Sequence, residues 1–464
     1  MRWLAPFLTC AAWLLAAPTA VASPERDLSR ALEAYVHRPQ PSYGWKITGR
    51  QAQGGGVEAI EVELVSQEWR GRRWVHRLHV VVPPAATGER ARPGHCLLAI
   101  AGSGDARQVV GLLSLAATRL GVPIAVLQDV PNQPLFGEET ERGRGLKEDA
   151  LIAYTFSRFA ETGDPEWLAL LPMTRAAVAA MDALGELSAA EAGRQRESPW
   201  AFGRLERFVT TGGSKRGWTT WLTGVVEPER VIGIAPIVFD NLNIAAQLDL
   251  HIQTWGHPSP SIHDYTDAGL MELVESERGR ELLAVVDPYS YASRLDLPKL
   301  VLIGTNDTYW PLEAIHLYRG GLPGQLYQHY VPNAGHGAGL SAVEALVGFV
   351  DHVTDRIPAL PELELQVAPG EGAVIRPRAA ADGRRLRRVR LWGAHVEGRD
   401  FTQASWHVVD AARGEDGWRA PFPAACDRTR GNAAFIGEVE LDDSGGGSFT
   451  IHTPVQVWQL APIE

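Results

Sequence analysis

The stretch RFVTTGGSKRGWTTWLTGVV, residues 207–226, joins an apolar run to a run with helical spacing through a turn of small residues. The part before Ser214 is typical of a buried strand, and the part after it is typical of a helix. A serine at a sharp strand-to-helix turn is the setting of a nucleophile elbow, where small neighbours relieve backbone crowding. The usual G-x-S-x-G pattern, however, has a glycine at the position that Arg216 occupies here, and in this chain the glycine, Gly217, comes one residue later. The stretch alone therefore leaves two interpretations open, a nucleophile and a serine that caps a helix.

Apolar runs of the same kind recur along the chain and alternate with helix-like segments. Residues 58–66 and 74–83 alternate between apolar and polar side chains, which predicts an antiparallel hairpin. Continuous apolar runs bounded by turns lie at 96–104, 121–131, 231–240, 298–307 and 325–336. Stretches with helical spacing lie at 106–121, 147–163 and 173–187. Because continuous apolar strands are buried on both faces, this order predicts an α/β fold with a mostly parallel sheet and helices on both faces.

The pattern changes after residue 356. A proline-bearing connector, 357–370, leads into short alternating segments whose turns carry Gly, Asp and Ser, and no helical run follows. Such segments predict a β-sandwich of about 100 residues. We therefore expect an α/β catalytic domain at 23–356 and a β-sandwich domain, of the immunoglobulin or fibronectin III kind, at 357–464.

The first residues, 1–22, have the pattern of a secretory signal peptide. One early arginine precedes an apolar stretch, and Ala20-Val21-Ala22 fits the A-x-A cleavage pattern. The apolar stretch is interrupted by Pro6 and Pro18 and is too short for a comfortable membrane span. We therefore expect cleavage after Ala22, a periplasmic or secreted protein, and no stable membrane insertion.

The overall composition narrows the classes of function. The 464 residues carry a formal net charge of −11, and the chain lacks the basic stripe that nucleic-acid binding requires. After the predicted cleavage only Cys96 and Cys426 remain, too few for a disulfide framework and without paired-cysteine metal spacing. The sequence therefore predicts no nucleic-acid partner, no metal and no cofactor.

Two further residues complete a candidate catalytic triad with Ser214. Asp307 comes just after the apolar run at 298–307, and His336 lies in the loop after the next run. In α/β-hydrolases the order along the chain is serine, acid, histidine, and open α/β sheets collect their sites at the carboxyl ends of strands. His336 would act as the base and Asp307 would orient it. Asp240, which also ends an apolar run, remains an alternative acid.

The tetrahedral intermediate of such a reaction needs hydrogen-bond donors for its oxyanion. One donor is expected from the backbone N–H of Lys215, and the other from the loop around Ser103 and Gly104. The Lys215 side chain would either add positive charge there or form an ion pair. Trp310, next to the candidate acid, would contribute to an aromatic wall for substrate.

The neighbouring aromatic and charged residues carry weaker expectations. Trp218 and Tyr309 would either join the aromatic wall or pack in the core. Arg216 is expected to pair with a carboxylate such as Glu148 or Asp149. These two adjacent acids also fit the paired acids with which some peptidases hold a peptide's amino end.

Several stretches carry a resemblance to a known family: KEDALIAYTFSRF (147–159), TTGGSKRGWTTWLT (210–223), PKLVLIGTNDTYW (298–310) and VPNAGH (331–336). They resemble the PhoPQ-activated pathogenicity-related protein family, and the likeness extends over roughly residues 28–355. It implies an exported, α/β-hydrolase-like protein in which the Ser-Lys-Arg-Gly run is the family's own form of the nucleophile turn.

The resemblance also implies roles for three residues. The family's nucleophile-like serine falls on Ser214, its acid on Asp307 and its histidine on His336. One departure lies at Leu312-Glu313, where an acidic residue followed by a small one is expected, and it concerns substrate-side contacts.

The sequence as a whole predicts an exported serine hydrolase that cleaves a small-molecule or envelope-derived ester or amide through an acyl-enzyme. An esterase is favoured over a peptidase, because an esterase needs only the triad and the oxyanion donors. The alternatives are a serine peptidase and a non-catalytic binding or signalling protein on a hydrolase scaffold. A metal-dependent hydrolase would need a cluster of histidines and carboxylates that the sequence does not present.

Overall fold

The computed structural model describes residues 28–84, 92–104, 110–139, 143–192, 202–337, 339–355, 357, 360–368, 371–378, 386–426, 430–443 and 446–460. The predicted signal peptide at 1–22 lies outside these residues. None of the helices within these ranges combines the length and the apolar character that a membrane span requires.

A central mixed sheet organises the chain as far as residue 331. Its strands are β1 (Gly44–Ala52), β2 (Glu58–Trp69), β3 (Arg72–Val82), β4 (His95–Ile100), β5 (Ile124–Leu127), β6 (Arg207–Gly213), β7 (Val231–Ile237), β8 (Lys299–Gly304) and β9 (Leu326–Val331). They lie in the order β1-β2-β3-β5-β4-β6-β7-β8-β9. The strands from β5 to β9 in this order are parallel, while β1, β2 and β3 are antiparallel. The predicted α/β-hydrolase-like fold and its opening hairpin are therefore confirmed.

Helices cover both faces of this sheet. In chain order they are α1 (Ala31–His37), α2 (Val110–Leu120), α3 (Glu148–Thr162), α4 (Leu170–Ala192), α5 (Lys215–Val226), α6 (Ile244–Trp255), α7 (His263–Asp267), α8 (Leu270–Glu275), α9 (Glu277–Val286) and α10 (Leu340–Val353). Helices α2 and α10 contribute to one apolar core, and α1, α3, α4 and α5 contribute to the other. Helix α5, which follows Ser214, is buried along its whole length.

A helical cap, α6 to α9, is inserted between β7 and β8. The sequence pattern does not predict it, because three of these helices span only 5, 6 and 10 residues and present no long apolar periodicity. Helix α1 and strand β1 were not predicted either, since α1 has only 7 residues and β1 is largely exposed. The cap matters for function because it lies over the end of the sheet that carries Ser214.

The C-terminal residues form a β-sandwich. Its strands are β10 (Glu362–Ala368), β11 (Gly372–Arg378), β12 (Leu386–Val396), β13 (His407–Asp410), β14 (Ala412–Arg413), β15 (Trp418–Ala420), β16 (Asn432–Asp442), β17 (Ser448–His452) and β18 (Gln456–Gln459). One layer has the order β10-β11-β15-β14, and the other has the order β17-β16-β12-β13 with β18 paired to β16.

The sandwich is joined to the central sheet. Strand β17 pairs with β9, the last strand of the central sheet, through His452 and Gln328. The apolar core under α10 continues into the sandwich, where Phe349 and Phe449 belong to the same cluster. The division into domains at residues 356 and 357 stays a prediction, and the two parts share one sheet and one core.

Candidate active site

Ser214 sits on a sharp turn between β6 and α5. Its backbone has φ 54° and ψ −123°, and a positive φ is rare for a residue with a side chain. The turn is held from both sides, since the Ser214 N–H donates to the oxygen of Ile237 at 2.8 Å and its carbonyl accepts from Trp218 N at 3.1 Å. The Ser214 hydroxyl makes no capping hydrogen bond to α5. The local geometry is that of a nucleophile elbow and not of a helix-capping serine.

Two glycines make this turn sterically feasible. A Cβ on Gly212 would lie 2.7 Å from the carbonyl oxygen of Arg216, and a Cβ on Gly217 would lie 2.8 Å from the Cβ of Phe239. The first distance joins a carbon to an oxygen and the second joins two carbons, and both are too short for non-bonded atoms. Glycines before and after the serine therefore avoid steric clashes at the elbow. The second of them, Gly217, comes one residue later than in the G-x-S-x-G pattern.

His336 and Asp307 form a close pair at the same edge of the sheet. Asp307 follows β8 and is buried, and His336 follows β9. The His336 Nδ1 lies 3.0 and 2.9 Å from the two carboxylate oxygens of Asp307. The ring of Tyr309 stacks on the imidazole with centroids 4.0 Å apart. Because Asp307 holds Nδ1, the imidazole presents Nε2 on its other side, and this atom is buried without a hydrogen-bond partner among the described residues.

Asp240, the alternative acid, has a different partner. The Tyr318 hydroxyl donates to its Oδ1 at 2.5 Å, and its side chain is buried. The pKa of Asp240 is raised to about 7, chiefly by burial and less by the charge of Asp307, although the hydrogen bond from Tyr318 acts to lower it. Of the two acids, the structure pairs Asp307 with His336.

No hydrogen bond joins Ser214 to His336 within the part of the chain that the structure describes. The Ser214 hydroxyl makes no hydrogen bond with any described residue, and it faces a cavity that Tyr309 also lines. Ser214 and the Tyr309 ring, which stacks on His336, thus border the same cavity, while the complete triad stays a prediction.

The loop predicted to complete the oxyanion site lies next to the elbow. Strands β4 and β6 are parallel neighbours, with Ile100 opposite Gly212, so the residues that follow them meet at one edge. Ser103 and Gly104 follow β4 there and are both exposed. Lys215 is the first residue of α5, where backbone N–H groups have no partner within the helix. The positions suit the predicted donors, whose role stays a prediction.

The side chains of Lys215 and Arg216 are tied to helix α3. Lys215 Nζ lies 3.0 Å from Asp149 and 3.3 Å from Glu148, and Arg216 forms a bidentate pair with Glu148 at 2.7 Å. Burial by itself would raise the pKa of Glu148, but the hydrogen bond and charge of Arg216, with Gln133 and Lys215, bring it down to about 2. The predicted pairing of Arg216 is confirmed, and the Lys215 side chain is ion-paired.

The candidate serine borders a narrow cavity of about 40 Å³ beneath the cap. Trp310 and Trp218 are both in its wall, and the Trp218 ring also reaches the cap, where its Nε1–H donates to the oxygen of Val286 at 2.6 Å. Most of the remaining lining is apolar. Both tryptophans border the cavity next to Ser214, and the role of an aromatic wall for substrate stays a prediction.

Comparison with known proteins places this site in a family. The family model described as PhoPQ-activated pathogenicity-related protein matches residues 32–402, most of the chain. The chain belongs to the PhoPQ-activated pathogenicity-related protein family. One relative of this chain is autocrine proliferation repressor protein A of Dictyostelium discoideum, which is 32% identical over 342 residues. The match covers 69% of this PhoPQ-related chain but only 65% of the relative, so this chain spans less than two thirds of that protein's length.

Solved structures similar to this PhoPQ-related protein include two acetyl xylan esterases. The one from Paenibacillus sp. R4 has a TM-score of 0.47 at 15% identity and covers 70% of this chain and 92% of its own. The one from Thermoanaerobacterium sp. JW/SL YS485 has a TM-score of 0.49 at 14% identity, and the match covers 72% of this chain and 94% of that esterase. An acylaminoacyl peptidase from Pyrococcus horikoshii has a TM-score of 0.38 at 12% identity, covering 69% of this chain and 51% of that one.

Sequence reasoning missed a clasp formed by two asparagines of the PhoPQ-related protein and the segment 401–406. The Asn306 Nδ2 lies within hydrogen-bond distance of the carbonyl oxygens of Phe401, Thr402 and Ala404, at 3.3, 3.2 and 2.7 Å. Asn333 accepts from Trp406 N at 2.7 Å and donates to its oxygen at 3.1 Å. Asn306 precedes the candidate acid and Asn333 precedes the candidate histidine by three residues. The clasp thus holds the loops of the candidate acid and the candidate histidine against one segment of the C-terminal region.

The local departure from the family pattern, Leu312-Glu313, also faces this C-terminal region. Glu313 accepts from the Arg399 guanidinium at 2.5 Å.

Within the described ranges, no group of three or more His, Cys, Asp or Glu side chains is arranged to hold a metal ion. Cys96 and Cys426 are both buried and free.

Proposed function

We propose that this protein is a serine hydrolase that cleaves an ester through an acyl-enzyme on Ser214. The observation that carries the proposal is the strained elbow, which holds a serine that caps nothing at the sheet edge where His336 is bound to Asp307. Strain of this kind costs on the order of 1–3 kcal/mol and persists mainly at functional sites.

The geometry supports a division of roles. His336 Nε2 takes the proton of Ser214 as its oxygen attacks the ester carbonyl, and Asp307 stabilises the imidazolium that forms. The backbone N–H of Lys215 and the loop at Ser103 and Gly104 donate to the oxyanion. His336 then returns the proton to the leaving alcohol, and a water repeats the sequence to release the acid.

The reaction requires Ser214 and His336 to come into hydrogen-bonding distance. Catalytic hydrogen bonds are often long in unliganded enzymes and tighten when substrate binds. His336 Nε2 has no competing partner among the described residues, so a hydrogen bond from Ser214 would replace no existing one.

An ester is favoured over a peptide because the acids that would hold a peptide's amino end are already engaged. Glu148 is bonded to Arg216 in bidentate form, and Asp149 is bonded to Lys215. Binding a substrate ammonium would require breaking one of these ion pairs.

A second candidate function is signalling or binding outside the cell. It is favoured by the 32% identity to a protein named autocrine proliferation repressor protein A. In this case the hydrolase scaffold would be retained for recognition. Both functions agree with the proposed export to the periplasm or the exterior after cleavage at Ala22.

A panel of esters and amides separates the two functions. Short-chain esters, sugar-acid esters and dipeptidyl amides are assayed with wild type, Ser214→Ala and Asp307→Asn, with Ser114→Ala on the opposite face as a control. We expect ester hydrolysis to fall by on the order of 10³- to 10⁴-fold in the first two variants and to stay unchanged in the control. Hydrolysis that survives Ser214→Ala would contradict the proposal.

A further inference from the structure

The cavity beside Ser214 has an aromatic wall. The rings of Trp218 and Phe239 stack with centroids 5.1 Å apart and an angle of 28° between their planes. Phe156 packs against Trp218 edge-on at 6.0 Å, and Trp310 packs against Phe239 edge-on at 5.9 Å. These contacts fix the wall as a continuous apolar surface that begins next to the candidate nucleophile.

The rest of the lining is mainly aliphatic and comes from the helical cap. Leu248 comes from α6, Ile262 from the turn before α7, and Leu282 from α9. All three are buried by the rest of the protein. The cavity, called the slot below, is therefore lined by both aromatic and aliphatic side chains, a surface that suits a hydrocarbon group.

The charges in the lining cancel each other. Of the described residues that line this cavity, Asp149 and Lys215 carry charge, and they are paired at 3.0 Å. Asp149 also accepts from the Tyr265 hydroxyl at 2.9 Å and from the Tyr309 hydroxyl at 3.4 Å. No charge of this set is left over to bind a carboxylate or an ammonium on the substrate, and desolvating one there would be unfavourable.

The position of the slot relative to His336 indicates which half of the ester it holds. The leaving alcohol has to lie toward His336, since that residue returns the proton to it. His336 itself does not line the cavity, although Tyr309, whose ring stacks on its imidazole, does. Lys215, the expected oxyanion donor, and Trp218 of α5 also line it, which favours placing the slot on the acyl side of the scissile bond.

We propose that this slot binds the acyl group of the substrate and selects an uncharged hydrocarbon chain longer than acetyl. The inference rests on the proposed ester hydrolysis at Ser214, and it adds the chemical class of the acyl group. Each methylene that enters the slot should tighten binding about three- to fourfold, from the free energy of burying one CH₂ group.

Two measurements test the proposal on the full-length protein. The first is calorimetric binding of ethyl acetate, butyrate, hexanoate and octanoate to Ser214→Ala, which does not depend on turnover. The second is kcat/KM of wild type for the same four esters, and for acetate esters of butanol, hexanol and octanol. We expect both affinity and kcat/KM to rise with the length of the acyl chain, and not with the length of the alcohol.

Variants of the cap wall locate the effect. Leu248→Trp should narrow the slot and abolish the gain beyond butyrate, and Leu248→Ala should extend the gain to longer chains. The matched control is Ile252→Trp on the same helix, which is 43% exposed and does not line the cavity. It should leave the chain-length profile of wild type unchanged, and thermal melting checks that each variant is folded.

The outcomes separate this inference from the function on which it rests. Binding that strengthens with acyl length and responds to Leu248→Trp but not to Ile252→Trp supports the slot, even if no ester is turned over. Equal affinity for all four acyl lengths, or a gain with the alcohol series instead, would overturn the slot even if hydrolysis is fast.

Discussion

Ser214 holds a backbone conformation that a residue with a Cβ seldom adopts, and its neighbours enforce it. The φ of 54° is fixed by hydrogen bonds on both sides and by the close approach of Gly212 to Arg216. The sequence correctly suggests an elbow here, because glycines surround a lone serine between an apolar strand and a helix. It cannot exclude a capping serine, since that distinction lies in the side-chain hydrogen bond.

The strain at Ser214 predicts an unusual order of stabilities. Ser214→Gly should be more stable than Ser214→Ala by about 1 kcal/mol, because glycine relieves a strain that exceeds its entropic cost. Denaturant unfolding of the two variants measures this difference. Because neither variant carries the hydroxyl, the comparison isolates the backbone. An alanine variant as stable as the glycine variant would mean that the turn is not strained.

Asp240 and Asp307 illustrate a choice that the sequence leaves open. Both end apolar runs, and the structure separates them by their partners, Tyr318 for Asp240 and His336 for Asp307. Which carboxylate meets the imidazole depends on side-chain directions across three strands, and no local pattern encodes them. We expect Asp307→Asn to lower kcat by on the order of 10³- to 10⁴-fold, and Asp240→Asn to leave kcat within the same order of magnitude.

Asp240 also predicts a pH dependence of stability. Its pKa is about 7 in the folded protein against 3.8 ordinarily, so between these values the native state keeps a proton that the unfolded chain releases. The stabilisation from the protonated form is complete below pH 3.8 and is lost as the pH rises to about 7. Asp240→Asn should therefore gain stability relative to wild type as the pH increases from 4 to 8. Melting curves of both proteins at pH 4, 6 and 8 check this. A stability of Asp240→Asn that falls relative to that of wild type as the pH rises would contradict it.

At the scale of elements, the loops after β8 and β9 are positioned by a segment that lies far along the chain. Asn306 and Asn333 bind 401–406, which connects two strands of the sandwich. The sequence shows asparagines beside the candidate acid and histidine, but not what they bind, because the partners are backbone atoms about 70 to 100 residues away. The cap is missed for a related reason, since its short helices are stabilised by packing more than by their own periodicity.

The clasp predicts that Asn306 acts as a positioning residue. Asn306→Ala should lower kcat with little change in KM, because the loop that carries Asp307 loses its anchor while the substrate cavity keeps its lining. It should also destabilise the fold by about 1–3 kcal/mol, the usual cost of leaving buried carbonyls without a donor. Asn432→Ala is the matched control, since Asn432 donates to the oxygen of Gly398 at 2.7 Å but lies outside the candidate triad loops. Equal effects of the two variants on kcat would show that the clasp has no specific role.

At the scale of the whole molecule, the two parts of the chain are more closely joined than their sequence patterns indicate. Most strands of both parts follow from local periodicity, but β1 does not, and β10 lies within the stretch 357–370 that the sequence predicts as a connector. The pairing of β9 with β17 does not follow from local periodicity either, because it joins residues 124 positions apart through a single register position, His452 and Gln328. The two parts also contact each other where Phe449 of β17 packs directly on Gly348 of α10.

This union predicts that the α/β part depends on the sandwich. A chain ending at residue 355 should be aggregation-prone and inactive, because the edge of β9 and the apolar surface around Phe349 would be exposed. Size-exclusion chromatography and circular dichroism of the truncated chain, beside the full chain, measure this. A monomeric, folded and active truncation would instead support two independent domains at 23–356 and 357–464.

The most direct test of the central claim is to find where a fluorophosphonate probe attaches. The intact protein is treated with the probe, digested and analysed by tandem mass spectrometry, with Ser214→Ala and His336→Ala treated in parallel. The account predicts one adduct, on Ser214, that is absent from Ser214→Ala and strongly reduced in His336→Ala. A folded wild-type protein that carries no adduct on Ser214, or that is labelled equally well without His336, would contradict it.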